Sequence, residues 1–268
     1  MHLPGNTDPV RFIQITDPHL LKAKDGMLVG VNTFQSLQGV LKRVKDDQKD
    51  FDFFVVTGDI SQDGSEISYQ TLQKSLDSFQ KPSYWLAGNH DSLQSMQSVA
   101  KDKEHLNNII RTEHWQIILL NTQVKGEVFG NISDTDFELI NNALAGYPHL
   151  NTLIGLHHHP ITIGSAWMDK IGVKNGEKLM TIARENNQVK AMMWGHVHQE
   201  SDRMVGHTRM LSTPSTCVQF APNSTDFGVD NNTPGYRYLQ LNNDGSIETE
   251  VVRIEGIEFE ADLSSSGY

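Results

Sequence analysis

Six short apolar runs punctuate the first 195 residues, at 12–15, 53–56, 84–87, 117–120, 153–156 and 191–194. They are nearly continuous rather than alternating, which is how strands buried on both faces read. Between them the period becomes helical. Phe34, Leu37, Val40, Leu41 and Val44 fall on one helix face. Ser133 and Asp136 stand as a weak capping box before Phe137, Leu139, Ile140 and Leu144, and Leu179, Ile182 and Ala183 form a further stripe. Strand alternating with helix predicts an α/β layered sandwich. Beyond residue 195 the pattern changes to strands near 204–205, 209–211, 236–241 and 247–254, joined by Gly- and Asn-rich turns. Residues 221–235 read as a long loop, and 262–268 as a frayed tail. With no internal repeat, the expected organisation is one domain over 1–255 followed by a C-terminal tail at 256–268.

Composition narrows the function. Lys and Arg number 22 against 33 Asp and Glu, a net charge of −11, which argues against a long nucleic-acid footprint and its need for phosphate-facing cations. The single cysteine, Cys217, excludes an internal disulfide and a Cys-rich zinc module. Residues 1–6 show no basic segment leading into an apolar core, and no run approaches the roughly 20 apolar residues of a membrane span. The expectation is a cytoplasmic globular protein, without membrane or nucleic-acid partners. The unusual count is 12 histidines.

Those histidines are not scattered. Five of the six runs are followed at once by metal-binding residue types: Asp17 and His19; Asp59 and Asp63; Asn89, His90 and Asp91; His157, His158 and His159; His196 and His198. Ligands of open α/β sheets gather outside the carboxyl ends of the strands, so adjacent strands would deliver all five motifs to one sheet edge. Pro18 biases Asp17 toward an extended backbone, turning Asp17 and His19 to one side. Gly58, Gly88 and Gly195 stand where a strand turns sharply beside an ion. Hard oxygens mixed with imidazoles suit two divalent transition ions rather than calcium. A carboxylate such as Asp59 can bridge them.

This ordered set of blocks resembles the signature of the calcineurin-like metallophosphoesterases. The resemblance extends to the bacterial class III 3′,5′-cyclic AMP phosphodiesterases through residues 30–33, 57–63, 115–117, 156–160, 195–200 and 214–220 and the final Ser-Gly-Tyr. It implies a four-layer αββα sandwich with a dinuclear site at the strand ends, holding iron or manganese, or zinc. One ion would be held by Asp17, His19, Asp59 and His198; the other by Asp59, Asn89, His157 and His196, with His158 as the alternative to His157. His90 would face the substrate phosphate and protonate the leaving 3′ oxygen, with Asp91 orienting it. His19, Asp59, Asn89, His90 and His198 would line the substrate, and Asn32 is a further candidate contact. The implied reaction is hydrolysis of 3′,5′-cyclic AMP to 5′-AMP by a hydroxide held between the ions, by a monomer or homodimer that attenuates a cyclic-nucleotide signal. Within the same chemistry, glycerophosphodiesters, nucleotides and 2′,3′-cyclic nucleotides are alternative substrates.

Taken singly, each block has a plainer reading. Asp17 to His19 is a turn, Asp59 a helix cap, Gly88-Asn89 a turn, and the His157 to His159 triplet an adventitious surface. Asp63 serves equally to support the metal shell or to start a helix. Cys217 reads as a packed side chain, and His2, His105, His114, His149 and His207 as surface or scaffold. The five blocks weigh together because they recur in family order at five strand ends.

Overall fold

The computed structural model describes residues 9–100, 104–255 and 261–267. His2, the leader reading at 1–6, part of the expected tail (256–260) and Tyr268 lie outside them. The elements run β1 (Val10–Ile15), β2 (Met27–Leu28), β3 (Val31–Asn32), α1 (Thr33–Asp46), β4 (Phe53–Thr57), α2 (Glu66–Asp77), β5 (Ser83–Leu86), α3 (Leu93–Ala100), β6 (Ile109–Arg111) and β7 (Trp115–Leu119). They continue with α4 (Asp134–Gly146), β8 (Asn151–Gly155), α5 (Gly176–Glu185), β9 (Val189–Trp194), β10 (Ser201–Val205) and β11 (Thr208–Ser212). The chain closes with β12 (Gln219–Phe220), β13 (Val229–Asp230), β14 (Gly235–Leu241) and β15 (Ile247–Arg253).

The six apolar runs are β1, β4, β5, β7, β8 and β9, but they do not share one sheet. One sheet has the order β15-β14-β1-β4-β5, and the second β10-β11-β9-β8-β7-β6. Strands β1, β4 and β5 pair in parallel, as do β7, β8, β9 and β11. The expected single edge is therefore two edges brought face to face.

Side-chain alternation shows how the layers stack. On β1 and β4, Ile13, Ile15, Phe54 and Val56 pack with helix residues Leu37, Val40, Leu72 and Leu76. Their neighbours Phe12, Phe53 and Val55 turn the other way and pack against Ile117, Leu153 and Met193 of the second sheet. That sheet's opposite face, through Ile118, Ile154 and Met192, packs on Phe137, Ile140 and Leu179 of α4 and α5. Helices, sheet, sheet and helices follow in that order. A strand in such a stack buries both faces, which is why its sequence does not alternate.

The helices start where the sequence signals them. Ser133 caps α4 by accepting from the Asp136 N–H and donates its hydroxyl to the Asp136 carboxylate at 2.6 Å. Asn32 caps α1 by accepting from Gln35 N–H, and its amide also donates to Lys24 O. Within the expected loop at 221–235, β13 pairs with β12. Of the expected tail, Ala261 packs against the core and the Asp262 N–H donates to Val29 O at 2.9 Å. Among the described residues no helix is long and apolar enough to cross a membrane.

Candidate metal centre

The loops that leave β1, β4, β5, β8 and β9 meet where the two sheets' carboxyl edges converge. Asp17, His19, Asp59, His157 and His198 are wholly buried, and His196 is 1% exposed. Asn89 and His90 are half-buried, so they mark the side from which a small molecule can reach the cluster.

Hydrogen bonds fix which ring nitrogen each histidine presents. His157 Nδ1–H donates to Thr57 O at 2.8 Å, and His198 Nδ1–H donates to Val218 O at 2.7 Å. His19 Nδ1–H donates to Gln62 Oε1 at 2.6 Å. Each ring thereby turns its Nε2 into the cluster, the arrangement usual for metal-ligating histidines. His19 Nε2 and His198 Nε2 face each other at 3.2 Å. Two lone pairs at that distance repel unless a cation or proton lies against them.

The carboxylates complete the set. Asp59 Oδ2 lies 3.3 Å from His157 Nε2 and 3.8 Å from His19 Nε2, and it has no hydrogen-bond partner. Asp59 Oδ1 accepts from the His90 backbone N–H at 2.9 Å. Asp17 Oδ1 is 3.4 Å from His198 Nε2, and its carboxylate accepts from the His196 N–H. Asn89 Oδ1 stands 3.2 Å from His157 Nε2, while both ring nitrogens of His196 lack partners. Four overlapping trios have ligand atoms within 4.8 Å of one another: Asp17-His19-His198, Asp17-Asp59-His157, His19-Asp59-His90 and His157-His158-His196. Orphaned buried donor atoms in this number fit bound cations.

Electrostatics point the same way. Burial opposes ionisation of Asp17 and Asp59, yet His198 beside the first and His157 beside the second hold both carboxyls below their usual range. Burial pulls His157 down, but Asp59, Asp17 and the Thr57 carbonyl outweigh it and lift it to about 9. Without a metal, a proton there neutralises part of the carboxylate charge. His19 falls to about 3, chiefly through burial, and burial likewise lowers His196. At His19 and His196 a neutral imidazole near ionised carboxylates is the protonation state that a divalent ion requires, while at His157 an ion would have to displace the proton.

The glycines have a steric purpose. A Cβ on Gly58 (φ +100°) would lie 2.3 Å from His157 Nδ1, and one on Gly88 would lie 2.2 Å from Asp59 Oδ1. The extended turn expected at Asp17 is not observed. Asp17, His19, Asp59, His196 and His198 all have positive φ, between 44° and 65°, and they are five of the nine such non-glycine residues described. Asp and His tolerate this region better than most residues.

His157 rather than His158 sits with the carboxylates. His158 Nδ1 meets the Thr122 hydroxyl at 2.8 Å, and its ring joins only the histidine trio. Asp91 accepts from the N–H groups of Gly88, Ser61 and Ile60 and from the Tyr69 hydroxyl. The Ser61 and Ile60 bonds tie the loop after β5 to the loop after β4, the Tyr69 bond ties it to α2 and the Gly88 bond closes the loop on itself, so that the backbone at His90 is fixed. Asp63 is exposed and accepts from Lys22 N–H and the Ser61 hydroxyl in the loops after β1 and β4, and from Ser65 N–H and the Ser68 hydroxyl at the cap and first turn of α2, so it touches both the ligand loops and the helix start. His105 stacks on Trp85 at 4.2 Å as scaffold. The sequence reading did not single out Gln62, Thr57, Val218 or Ser215, whose hydroxyl donates to Asp17 O at 2.8 Å. All four lie inside motif stretches; the roles of Thr57 and Val218 run through a backbone carbonyl and leave no residue-type signal, whereas those of Gln62 and Ser215 run through side chains.

Comparison with known proteins agrees with this geometry. The family described as Calcineurin-like phosphoesterase matches residues 10–200. The chain is 38% identical over 265 residues to the 3′,5′-cyclic adenosine monophosphate phosphodiesterase CpdA of Pseudomonas aeruginosa, covering 99% of this chain and 97% of that protein. It is 41% identical over 261 residues to the protein of the same name from Escherichia coli (strain K12), covering 97% and 95%. Among solved structures, a dimetal phosphatase from Danio rerio superposes with a TM-score of 0.65 at 15% identity, covering 92% of this chain and 100% of that one. A purple acid phosphatase from yellow lupin seeds gives 0.70 at 16% identity, covering 96% and 54%. These two likenesses speak for the fold, and the sequence match spans the loops that carry the cluster. The chain belongs to the calcineurin-like phosphoesterase family.

Proposed function

We propose that this protein hydrolyses 3′,5′-cyclic AMP to 5′-AMP and so attenuates a cyclic-nucleotide signal. The observation that carries the reading is the similarity of 38–41% identity, across 97–99% of the chain, to relatives named for that activity. Family membership implies a dinuclear divalent site. For the two ions we assign Asp17, His19, Asp59 and His198 to one, and Asp59, Asn89, His157 and His196 to the other. Carboxylate, amide and imidazole donors without a thiolate suit iron or manganese, and also accommodate zinc. When bound, the ions supply positive charge for the phosphate oxygens and lower the pKa of water.

The residues of the chain do the rest. Asp59, whose Oδ2 lies 3.3 Å from His157 Nε2 and 3.8 Å from His19 Nε2, would serve both ions. His90 stands at the half-buried side, its ring 5.1 Å from that of His19, and donates a proton to the leaving 3′ oxygen. Water adds across the P–O3′ bond: its oxygen joins phosphorus, the ring opens, and the 5′-nucleotide leaves. Asp91 holds the loop that carries Asn89 and His90.

The test is a substrate panel on metal-reconstituted protein, with 5′- and 3′-nucleotide products resolved. Rapid conversion of 3′,5′-cyclic AMP to 5′-AMP is expected. Inert cyclic AMP beside rapid hydrolysis of 2′,3′-cyclic AMP or glycerophosphodiesters would overturn the signalling role and leave the chemistry standing.

A further inference from the structure

Just below the metal loops, the apolar layer between the sheets gives way to a polar seam. Gln14 is wholly buried on β1, on the face that Val10 and Phe12 turn toward the second sheet. Its Nε2 donates to Thr57 Oγ1 at 3.0 Å and, across the gap, to Trp194 O at 3.2 Å. Its Oε1 accepts from the Thr213 hydroxyl at 2.6 Å. Thr57 and Trp194 each stand two residues before a candidate ligand, Asp59 and His196, and Gln14 itself stands three before Asp17. One side chain thus touches the roots of ligand loops on both sheets.

Arg237 locks this bridge from the neighbouring strand. It is the cross-strand partner of Gln14 and is 2% exposed. Its Nε donates to Thr213 Oγ1 at 3.3 Å, and its Nη2 donates to Ser212 O and Ser201 O at 2.8 and 3.1 Å. Its Nη1 donates to Thr249 Oγ1 at 3.2 Å. Those bonds join β14 and β15 of the first sheet to β10 and β11 of the second, and all of them end on neutral oxygens.

A buried amide and guanidinium are poor sources of stability compared with apolar side chains of similar volume. What they add is direction, because a hydrogen bond fixes a distance that apolar packing leaves adjustable. The distance matters here. Thr57 O, one atom group away from the Gln14 contact, holds the His157 Nδ1–H, and the sheets are so close at Gly195 that a single Cβ would lie 2.0 Å from Thr16 Oγ1.

We infer that Gln14, locked by Thr213 and Arg237, is a positioning residue that sets the separation between the first-sheet ligands Asp17 and Asp59 and the second-sheet ligands His157 and His196, and hence the fit of a site whose every ion would draw on both sheets. This role rests on the ligand assignment made above.

The test loads wild type, Gln14→Met, Thr213→Val and Thr213→Ser with Mn(II). It reads ion stoichiometry, affinity for the second ion against a chelating indicator, and the spin-coupled signal by electron paramagnetic resonance. Gln14→Met and Thr213→Val should bind the second ion roughly 10–100-fold more weakly, the usual range for outer-shell changes, and show an altered coupling pattern. Thr213→Ser, which keeps the hydroxyl, should restore both. Should Gln14→Met not fold, the milder Thr213→Val carries the same expectation. Wild-type affinity and coupling in the variants, with or without a lower melting temperature, would overturn the positioning role while the ligand assignment stands. A wild type that holds fewer than two ions would overturn the assignment and this role with it.

Discussion

Gly195→Ala is the smallest change that probes the convergence of the two sheets. The new Cβ would stand 2.0 Å from Thr16 Oγ1, 2.8 Å from Asp17 Oδ2 and 2.9 Å from Thr57 O, against the roughly 3.5–4.0 Å of an ordinary contact. Thr16 cannot simply rotate aside, because its hydroxyl holds Asp17 Oδ2 at 2.6 Å. Thr57 O is backbone and holds His157. Gly195 is not among the residues with positive φ, so the cost is steric rather than conformational. Overpacking of this kind costs about 1–3 kcal/mol, and at about 2–4 °C per kcal/mol for a chain of this size the melting temperature should fall by about 2–12 °C. The strain falls on Asp17, so bound metal and turnover should fall with it. Gly146→Ala is the control: nothing lies within 4 Å of that Cβ at the end of α4, and the helix should gain about 0.5–1 kcal/mol. Thermal denaturation and elemental analysis read both variants. A Gly195→Ala protein that melts with the wild type and keeps its full metal content would refute the claim that the sheets leave no room there.

Three further outcomes follow from the site. His157→Ala should lose an ion by elemental analysis while His158→Ala keeps both; the reverse result would exchange their roles. His90→Ala should keep its metals but turn over about 10²–10⁴-fold more slowly on cyclic AMP, and undiminished turnover at verified occupancy would remove it from the reaction. For Asp63, burial pushes the carboxyl up, but the Lys22 N–H and the Ser65 and Ser61 donors outweigh it and bring the pKa to about 2. Its folded pKa thus lies below the unfolded value of about 3.9, so its contribution is present above about pH 4 and fades as pH falls through about 2. Thermal melts of Asp63→Ala between those limits should depend less on pH than those of the wild type, and equal slopes would deny Asp63 that part in acid sensitivity.

The strands were legible in the sequence because double burial leaves a distinct mark, and the partners of those strands were not. Nothing local to 117–120 tells β7 to lie beside β8 while β5 lies beside β4; pairing is decided by contacts distant along the chain. Helix α2 was faint for a different reason. Its buried face uses Ser68 and Thr71 beside Tyr69, Leu72 and Leu76, and hydroxyls in the core blur the apolar period. Gln14 interrupts an apolar run in the same way. In a sequence it reads as noise within a strand, and its use is visible only when Trp194 and Thr213 arrive from the other sheet.

The ligands divide along the same line, between residue type and backbone shape. Asp, Asn and His at strand ends declare a metal chemistry by type, whereas the left-handed backbone of five of them does not show in the residue types, and at Asp17 it contradicts the local preference that Pro18 imposes. A non-glycine residue in that region costs about 1–2 kcal/mol, and the conformation persists because its surroundings over-determine it. Asp17 N–H donates to Gly58 O at 3.1 Å, His19 N–H to Asp59 O at 2.9 Å and Leu20 N–H to Ile60 O at 2.9 Å, stitching the loop after β1 to the loop after β4. Ser215 and Thr216 hold the same loop through Asp17 O and Thr16 O. None of these bonds uses a donor atom that an ion would need. The strained turn that carries Asp17 and His19 is therefore held by protein alone, so binding an ion need not reorganise the loop that presents these two ligands.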